Sequence, residues 1–100
     1  MSEVYKALAD PTRRRILELL REREMRAGEV AAQVQISKPT LSGHFSVLKA
    51  AGLIDVTRRG TSLIYRLNTS VLEEAILTLM TMFRVGQERP AGEEKDAAAQ

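Results

Sequence analysis

The stretch from Ala27 to Ala51 constrains the fold of this chain more than any other segment. Its apolar side chains recur at helical spacing in two separate blocks, as expected for two short amphipathic helices. The blocks consist of Val30, Ala31 and Val34, and of Leu41, Phe45 and Leu48. Between them, Ser37 can accept a hydrogen bond from a first-turn N–H, and Pro39 falls in that turn, where its missing N–H costs nothing. The stretch therefore predicts a helix-turn-helix.

The second of these two helices has an outer face of short, uncharged side chains. With the apolar block turned towards a core, the residues that point outward are Thr40, Ser42, Gly43, Ser46 and Ala50, flanked by Lys38 and Lys49. No Asp or Glu occurs from Val30 to Ile54. A surface that binds phosphate groups has to avoid carboxylates, so this face is suited to lie against nucleic acid.

The composition limits the classes of protein to be considered. A chain of 100 residues forms one small domain and leaves much apolar surface uncovered, which favours oligomerisation. The absence of Cys excludes disulfides, thiolate metal sites and thiol redox sensing. The start, MSEVYKAL, has no basic region followed by an apolar run, and no stretch is long enough to span a membrane. We therefore expect a cytoplasmic protein without membrane insertion.

Two shorter helices are predicted ahead of the helix-turn-helix. The first runs from Glu3 to Ala9 and has apolar residues on one side. Asp10 can cap the second, with Pro11 at its first position, and apolar residues continue that helix to about Arg21. The segment from Glu22 to Arg26 is predicted to be a charged connector.

A basic run lies in the first turns of the second helix. It consists of Arg13, Arg14 and Arg15. These cations lie at the positive end of the helix dipole, where they need a compensating partner. The run is open to two interpretations, a clamp for phosphate groups or an ordinary solvated helix face.

A β-hairpin is predicted behind the helix-turn-helix. Gly52 ends the preceding helix as a left-handed C-cap would. The segments Leu53–Thr57 and Ser62–Leu67 are rich in β-branched and aromatic residues, and the turn between them contains Gly60, where a positive φ is expected. A hairpin in this position is a wing.

The tip of this wing is predicted to carry two basic residues, Arg58 and Arg59, with no acid nearby. They are placed to reach a phosphate backbone or a narrow minor groove. The alternative is an ordinary solvated hairpin tip. Residues 1–85 hold 13 Lys and Arg against 9 Asp and Glu, a net charge of +4, so the folded part is modestly basic.

The last helix is predicted to run from Val71 to Phe83, with Ser70 and Glu73 at the spacing of a capping box. It is apolar nearly all round, and a terminal helix of a small domain can hide only one face against its own core. We expect this other face and the first helix to form one interface, which a second chain covers. The expected dimer interface consists of Val4, Tyr5, Leu8, Leu72, Ala75, Ile76, Leu79, Met80 and Phe83.

The predicted fold is mainly α with a β-hairpin wing, a winged helix-turn-helix in the order α-α-α-α-β-β-α. Residues 1–85 are expected to form this domain for DNA binding and dimerisation, and residues 86–100, which are polar and rich in Gly, Pro and Ala, a disordered tail. Over residues 3–84 the chain resembles the ArsR family of bacterial winged-helix repressors, in its autorepressor branch. The motifs that carry this resemblance are ALADPTRRRILELL, ISKPTLSGHFSVLKAAGLI, RRGTSLIYRLN and LNTSVLEE.

The resemblance implies a homodimer that binds a palindromic operator in double-stranded DNA, usually in its own promoter, and blocks transcription. The residues expected to contact DNA are Ser37, Lys38, Pro39, Thr40, Ser42, Gly43, His44, Ser46, Arg58 and Arg59. Where relatives commonly carry a side chain able to hydrogen-bond a base, this chain has Gly43, which offers none and weakens a helix by about 1 kcal/mol relative to Ala. For His44, a contact to DNA and a structural role beside Phe45 are both open.

Other classes of function have less support in the sequence. With no Cys and one His, the chain lacks the three or four ligands that zinc or a softer metal requires, so we expect neither a metal site nor a cofactor. No catalytic constellation is present, which argues against an enzyme. The alternatives to a DNA-binding repressor are a protein-interaction module, because winged helices serve both uses, and, less favoured, a metal-responsive repressor. Release from DNA is expected to be caused by the binding of an anti-repressor protein or by a change in repressor concentration.

Overall fold

The computed structural model describes residues 1–86, which form five helices and a three-stranded antiparallel sheet. The helices are α1 (Ser2–Leu8), α2 (Pro11–Glu22), α3 (Ala27–Val34), α4 (Lys38–Ala50) and α5 (Thr69–Met82), and the strands are β1 (Met25–Arg26), β2 (Ile54–Arg59) and β3 (Ser62–Leu67). This architecture confirms the predicted winged helix-turn-helix, with α3 and α4 as the helix pair and β2–β3 as the wing. The expected tail lies outside the described residues, except for Gly86.

Strand β1 is an element that the predicted order lacks. It pairs antiparallel with β3, Met25 opposite Tyr65 and Arg26 opposite Ile64, and gives a sheet in the order β1-β3-β2. The prediction of a connector is therefore wrong over these two residues, and the order of the elements along the chain is α-α-β-α-α-β-β-α. A two-residue strand shows no alternation, so only its distant partner on β3 identifies it.

The predicted caps of α2 and α4 are confirmed. The Asp10 carboxylate accepts a hydrogen bond from Arg13 N at 3.0 Å, and Ser37 Oγ accepts one from Thr40 N at 3.3 Å. Each helix has proline in its first turn. These signals are readable in the sequence because a cap and its partner lie three residues apart.

The predicted capping box of α5, formed by Ser70 and Glu73, is wrong. Asn68 is the N-cap, because its Oδ1 accepts a hydrogen bond from Val71 N at 3.3 Å and the helix already begins at Thr69. Asn68 N also donates to Leu53 O at 2.8 Å. This second bond fixes the cap residue against the start of the wing, a tertiary contact that outweighs the local spacing signal.

The core lies between the helices and the inner face of the sheet. Its largest fully buried side chains are Ile16, Val30, Leu41, Leu48 and Leu53. Phe45 of α4 stacks on Tyr65 of β3 with ring centroids 4.1 Å apart and an angle of 18° between the planes. Such a pair contributes about 0.5–1.5 kcal/mol beyond its buried area, so it helps to fix α4 to the sheet that carries the wing.

The wing closes through a two-residue turn. Strands β2 and β3 pair from Ile54 opposite Leu67 to Arg59 opposite Ser62, and Gly60 has the predicted positive φ, +62°. A positive φ at the first central residue alone is what a type II′ turn requires, which suits the twist of a hairpin. None of the helices in the described range combines the length and hydrophobicity that crossing a bilayer requires.

Candidate nucleic-acid interface

The outer ridge of α4 carries only short side chains, of which the branched Val47, 38% exposed, is the largest apolar one. Gly43 and Ala50, two turns apart, are exposed and lie opposite the buried Leu41 and Leu48. A Cβ added at Gly43 would meet no atom within 4 Å, so the packing of this chain does not require glycine there. Because Gly43 has no side chain, the backbone of α4 is able to approach a neighbouring molecule closely on this outer face.

One flank of α4 combines positive charge with hydroxyl groups. Lys38, Ser42, Ser46 and Lys49 are exposed and border a groove of about 200 Å³. The other residues that line this groove are Ala27, Leu41, Phe45 and Tyr65, and no carboxylate is among them. The flank therefore offers two cationic and two hydroxyl groups to an anionic ligand. Lys49 belongs to it, although it is absent from the predicted contact residues; its spacing from Lys38 along one helix face is the signal that the sequence offers.

Ser37 and Thr40 at the start of α4 are coupled to each other. Ser37 Oγ accepts from Thr40 N and donates to Thr40 Oγ1 at 2.9 Å. Both residues are exposed, as is Pro39 between them. Since the Thr40 oxygen already accepts a bond from Ser37, the Thr40 hydroxyl hydrogen remains as a donor for an outside group. Ser37 serves mainly as the helix cap.

His44 lies on the opposite flank of α4, against the junction of α1 and α2. Its side chain is 18% exposed, with Nδ1 3.4 Å from Arg13 Nη1 and 4.0 Å from Asp10 Oδ2. The backbone N–H of Arg13 lowers the pKa of the Asp10 carboxyl below its ordinary value of 3.8, outweighing the opposing effect of desolvation. The imidazole thus faces an ionised carboxylate and a guanidinium inside the protein.

Two arginines of the run in α2 have the partner that their position requires, whereas Arg15 lies 3.9 Å from Glu18 of the same helix. Arg13 Nε donates to Ala7 O at 2.8 Å and Arg13 Nη2 to Lys6 O at 3.1 Å, while Arg14 Nη1 donates to Leu8 O at 2.9 Å. These carbonyls form the negative, C-terminal end of α1, where cations are stabilised. Arg13 and Arg14 therefore bind the end of α1 inside the protein. This role is neither the phosphate clamp nor the solvated helix face that the sequence suggested.

At the wing, the expectation of two arginines with no acid nearby is wrong for Arg59. Its guanidinium forms an ion pair with Glu24, which precedes β1. Both side chains are more than a third exposed, so the pair contributes little, about 0–1 kcal/mol. Arg58 is exposed and forms no ion pair within residues 1–86. Both arginines lie in β2, with Gly60 and Thr61 forming the turn itself.

The residues expected at a dimer interface divide into two groups. Val4 and Ala75 are buried within the single chain, and Tyr5 ties α1 to α5 by donating from its hydroxyl to Ala75 O at 3.1 Å. The others have surface to offer a partner: Leu8, Leu72 and Met80 are half-buried, and Ile76, Leu79 and Phe83 are exposed by 46%, 37% and 66%. These side chains form an exposed apolar patch at the end of the domain, and such patches often mark protein–protein contacts.

Within residues 1–86 no three His, Asp or Glu side chains come together as a metal site would require. The described elements instead define a winged helix-turn-helix DNA-binding domain, with α4 as its recognition helix. The family described as bacterial regulatory protein, arsR family, matches residues 10–56. The transcriptional repressor SdpR of Bacillus subtilis (strain 168) is 43% identical over 86 residues, which are 86% of this chain and 96% of SdpR. The chain belongs to the ArsR family of DNA-binding transcriptional regulators, which are not enzymes.

Solved structures agree with this assignment. The crystal structure of one ArsR family transcriptional regulator superimposes with a TM-score of 0.75, covering 88% of this chain and 97% of the other; at 23% identity this match concerns the fold alone. The homodimeric winged helix-turn-helix DNA-binding domain of Mb0332 from Mycobacterium bovis is 28% identical, with a TM-score of 0.68 over 89% of this chain and 83% of its own.

Proposed function

We infer that this regulator is a homodimeric repressor that inserts α4 of each protomer into the major groove of a palindromic operator. The observation that carries this inference is the surface of α4. A ridge without long side chains, at Gly43 and Ala50, lies beside a flank of two lysines and two serines that contains no carboxylate. A helix with such a ridge fits deep in a groove, and the flank supplies donors to phosphates and base edges.

The dimer is supported by the exposed apolar surface of α5 and by the homodimeric domain of Mb0332. Ile76 and Leu79 on one side of α5 and Phe83 at its C-cap follow one another, next to the half-buried Leu72. A helix packed on this side would remove them all from water. Two copies related by a twofold axis present two recognition helices to two half-sites, which is why the operator is expected to be a palindrome.

Repression of its own promoter is the regulatory role that we assign to the chain. SdpR, of which the chain covers 96%, is named a transcriptional repressor. A protein with this role acts at the chromosome, hence in the cytoplasm. Metal control is not part of this proposal, since the chain contains no Cys and a single His. The names of the relatives mention no anti-repressor protein. The anti-repressor expected from the sequence is therefore without support.

The test is binding of the purified protein to the DNA just upstream of its own gene, mapped by footprinting. We expect two protected half-sites whose centres lie roughly one helical turn, about 34–36 Å, apart. A protein-interaction module built on the same fold would protect nothing at salt concentrations that dissociate non-specific complexes.

A further inference from the structure

The side chain of Arg13, which lies on α2, contacts both α1 and the recognition helix α4. Its side chain donates to the carbonyls of Lys6 and Ala7 at the end of α1, and its remaining terminal nitrogen lies 3.4 Å from Nδ1 of His44 on the recognition helix. Its own backbone N–H is held by the Asp10 cap at 3.0 Å. Arg13 is half-buried, and all three guanidinium nitrogens have a neighbour within 3.4 Å. Arg13 is therefore the polar link between α1 and α4.

The link continues from α1 to the helix of the proposed dimer interface. The hydroxyl of Tyr5, one residue before Lys6, donates to the Ala75 carbonyl of α5. α1 thus bonds α5 on one side and, through Arg13, approaches α4 on the other. In a symmetric dimer the position of α4 relative to α1 and α5 sets the distance between the two recognition helices.

Arg14 provides a built-in comparison. It also donates to the end of α1, to Leu8 O at 2.9 Å, and it carries the same charge. It is exposed, and its side-chain hydrogen bond reaches only α1. Both arginines are anchored on α1, and of the two only Arg13, which is also the more buried, contacts α4.

We propose that Arg13 is a positioning residue that sets the recognition helix through His44, and so fixes the half-site spacing that the dimer accepts. A guanidinium can only donate, so the Arg13 contact makes Nδ1 of His44 the acceptor and leaves the ring proton on Nε2. The Nε2–H group then donates in a direction that is fixed by the Arg13 contact on the other side of the ring. The part of this inference that concerns spacing rests on the proposed function, and the part that concerns the ring does not.

The first experiment reads the protonation of the ring directly. His44 is the only histidine in the chain, so long-range ¹⁵N–¹H correlation spectra of the free protein contain one imidazole. In mildly alkaline buffer we expect Nδ1 without a proton and Nε2 with one. Arg13→Gln should shift the ring towards a mixture of the two tautomers, whereas Arg14→Gln should leave it unchanged. A wild-type ring protonated on Nδ1, facing Asp10, would overturn the proposal.

The second experiment measures spacing with duplexes that carry the operator, the operator with one base pair inserted between its half-sites, and a scrambled sequence. Wild type and Arg14→Gln should reject the inserted duplex. Arg13→Gln should lose about tenfold in affinity for the operator, bind scrambled DNA as Arg14→Gln does, and discriminate poorly between the two spacings. If both variants keep the wild-type preference, Arg13 does not position the helix.

Two further arms cover the remaining outcomes. If Arg13→Gln is poorly folded, Arg13→Lys keeps the charge but offers a compact ammonium in place of the planar fork, and it should show the same loss of spacing preference. In the double variant Arg13→Gln, His44→Ala, no additional loss should appear, because both changes break one link. If wild type itself prefers no operator, the proposed function fails, and the ring spectra alone decide whether Arg13 orients His44.

Discussion

At the scale of single residues, the glycine of the recognition helix is the most unusual choice. The interior tolerates a methyl group at Gly43, since nothing lies within 4 Å of the added Cβ, and alanine should stabilise the helix by up to about 1 kcal/mol. We expect Gly43→Ala to raise the melting temperature and to lower affinity for the operator, because the methyl group stands on the ridge that enters the groove.

The control for this prediction is Gly28→Ala. Gly28 is also helical and also has open space around it, but it lies on α3. This variant should leave operator binding unchanged. An increase in operator affinity for Gly43→Ala would show that the ridge does not face DNA closely.

A second prediction separates base contacts from phosphate contacts. We propose that the Ser42 hydroxyl contacts a base edge, so Ser42→Ala should cost on the order of 1–3 kcal/mol on the operator and change binding to random DNA little. Arg58, which has no ion pair within the described range, should act through phosphates. Its replacement by Ala should weaken operator and random DNA alike and flatten the salt slope by about one unit for each phosphate that is no longer neutralised. Fluorescence anisotropy over a range of salt distinguishes the two, and equal effects of both changes would refute this division of roles.

At the scale of secondary-structure elements, the start of α5 yields a third prediction. Asn68→Ala should destabilise the protein by about 1 kcal/mol, since it removes the acceptor for Val71 N, whereas Ser70→Ala should be close to neutral. Urea unfolding of the two variants measures the difference. A larger loss for Ser70→Ala would restore the capping box that the structure contradicts.

The elements also show what the sequence can and cannot predict. The caps Asp10 and Ser37 are predictable because a cap and the N–H it binds are three residues apart, and Gly60 because its positive φ is a local property. The β1–β3 partners are 38 and 40 residues apart and Glu24 and Arg59 are 35 residues apart, so no local pattern indicates either contact. The bonds of Arg13 escape prediction for a related reason: the sequence shows that the charge needs a partner but not where α1 lies.

At the scale of the whole molecule, the exposed side of α5 gives a fourth prediction. Ile76→Glu should convert a dimer into monomers, because it would place an unpaired charge in the interface. Ile76 is 46% exposed in the single chain, so the protomer itself should remain folded. Thr81→Glu, which places the same charge at an exposed position on the side of α5 opposite to Leu72, Ile76 and Leu79, should remain dimeric. Sedimentation velocity at micromolar concentration measures both, and a monomeric wild type would contradict the proposed assembly.

The central claim is that two copies of α4 read a specific sequence in DNA. The most direct measurement compares the affinity of the wild-type protein for the upstream duplex with its affinity for a scrambled duplex of equal length, at one physiological salt concentration, with the stoichiometry determined in the same titration. We predict two chains per duplex and a preference for the upstream sequence of at least about 10³-fold. Equal affinities for the two duplexes would contradict the claim, whatever the absolute strength of binding.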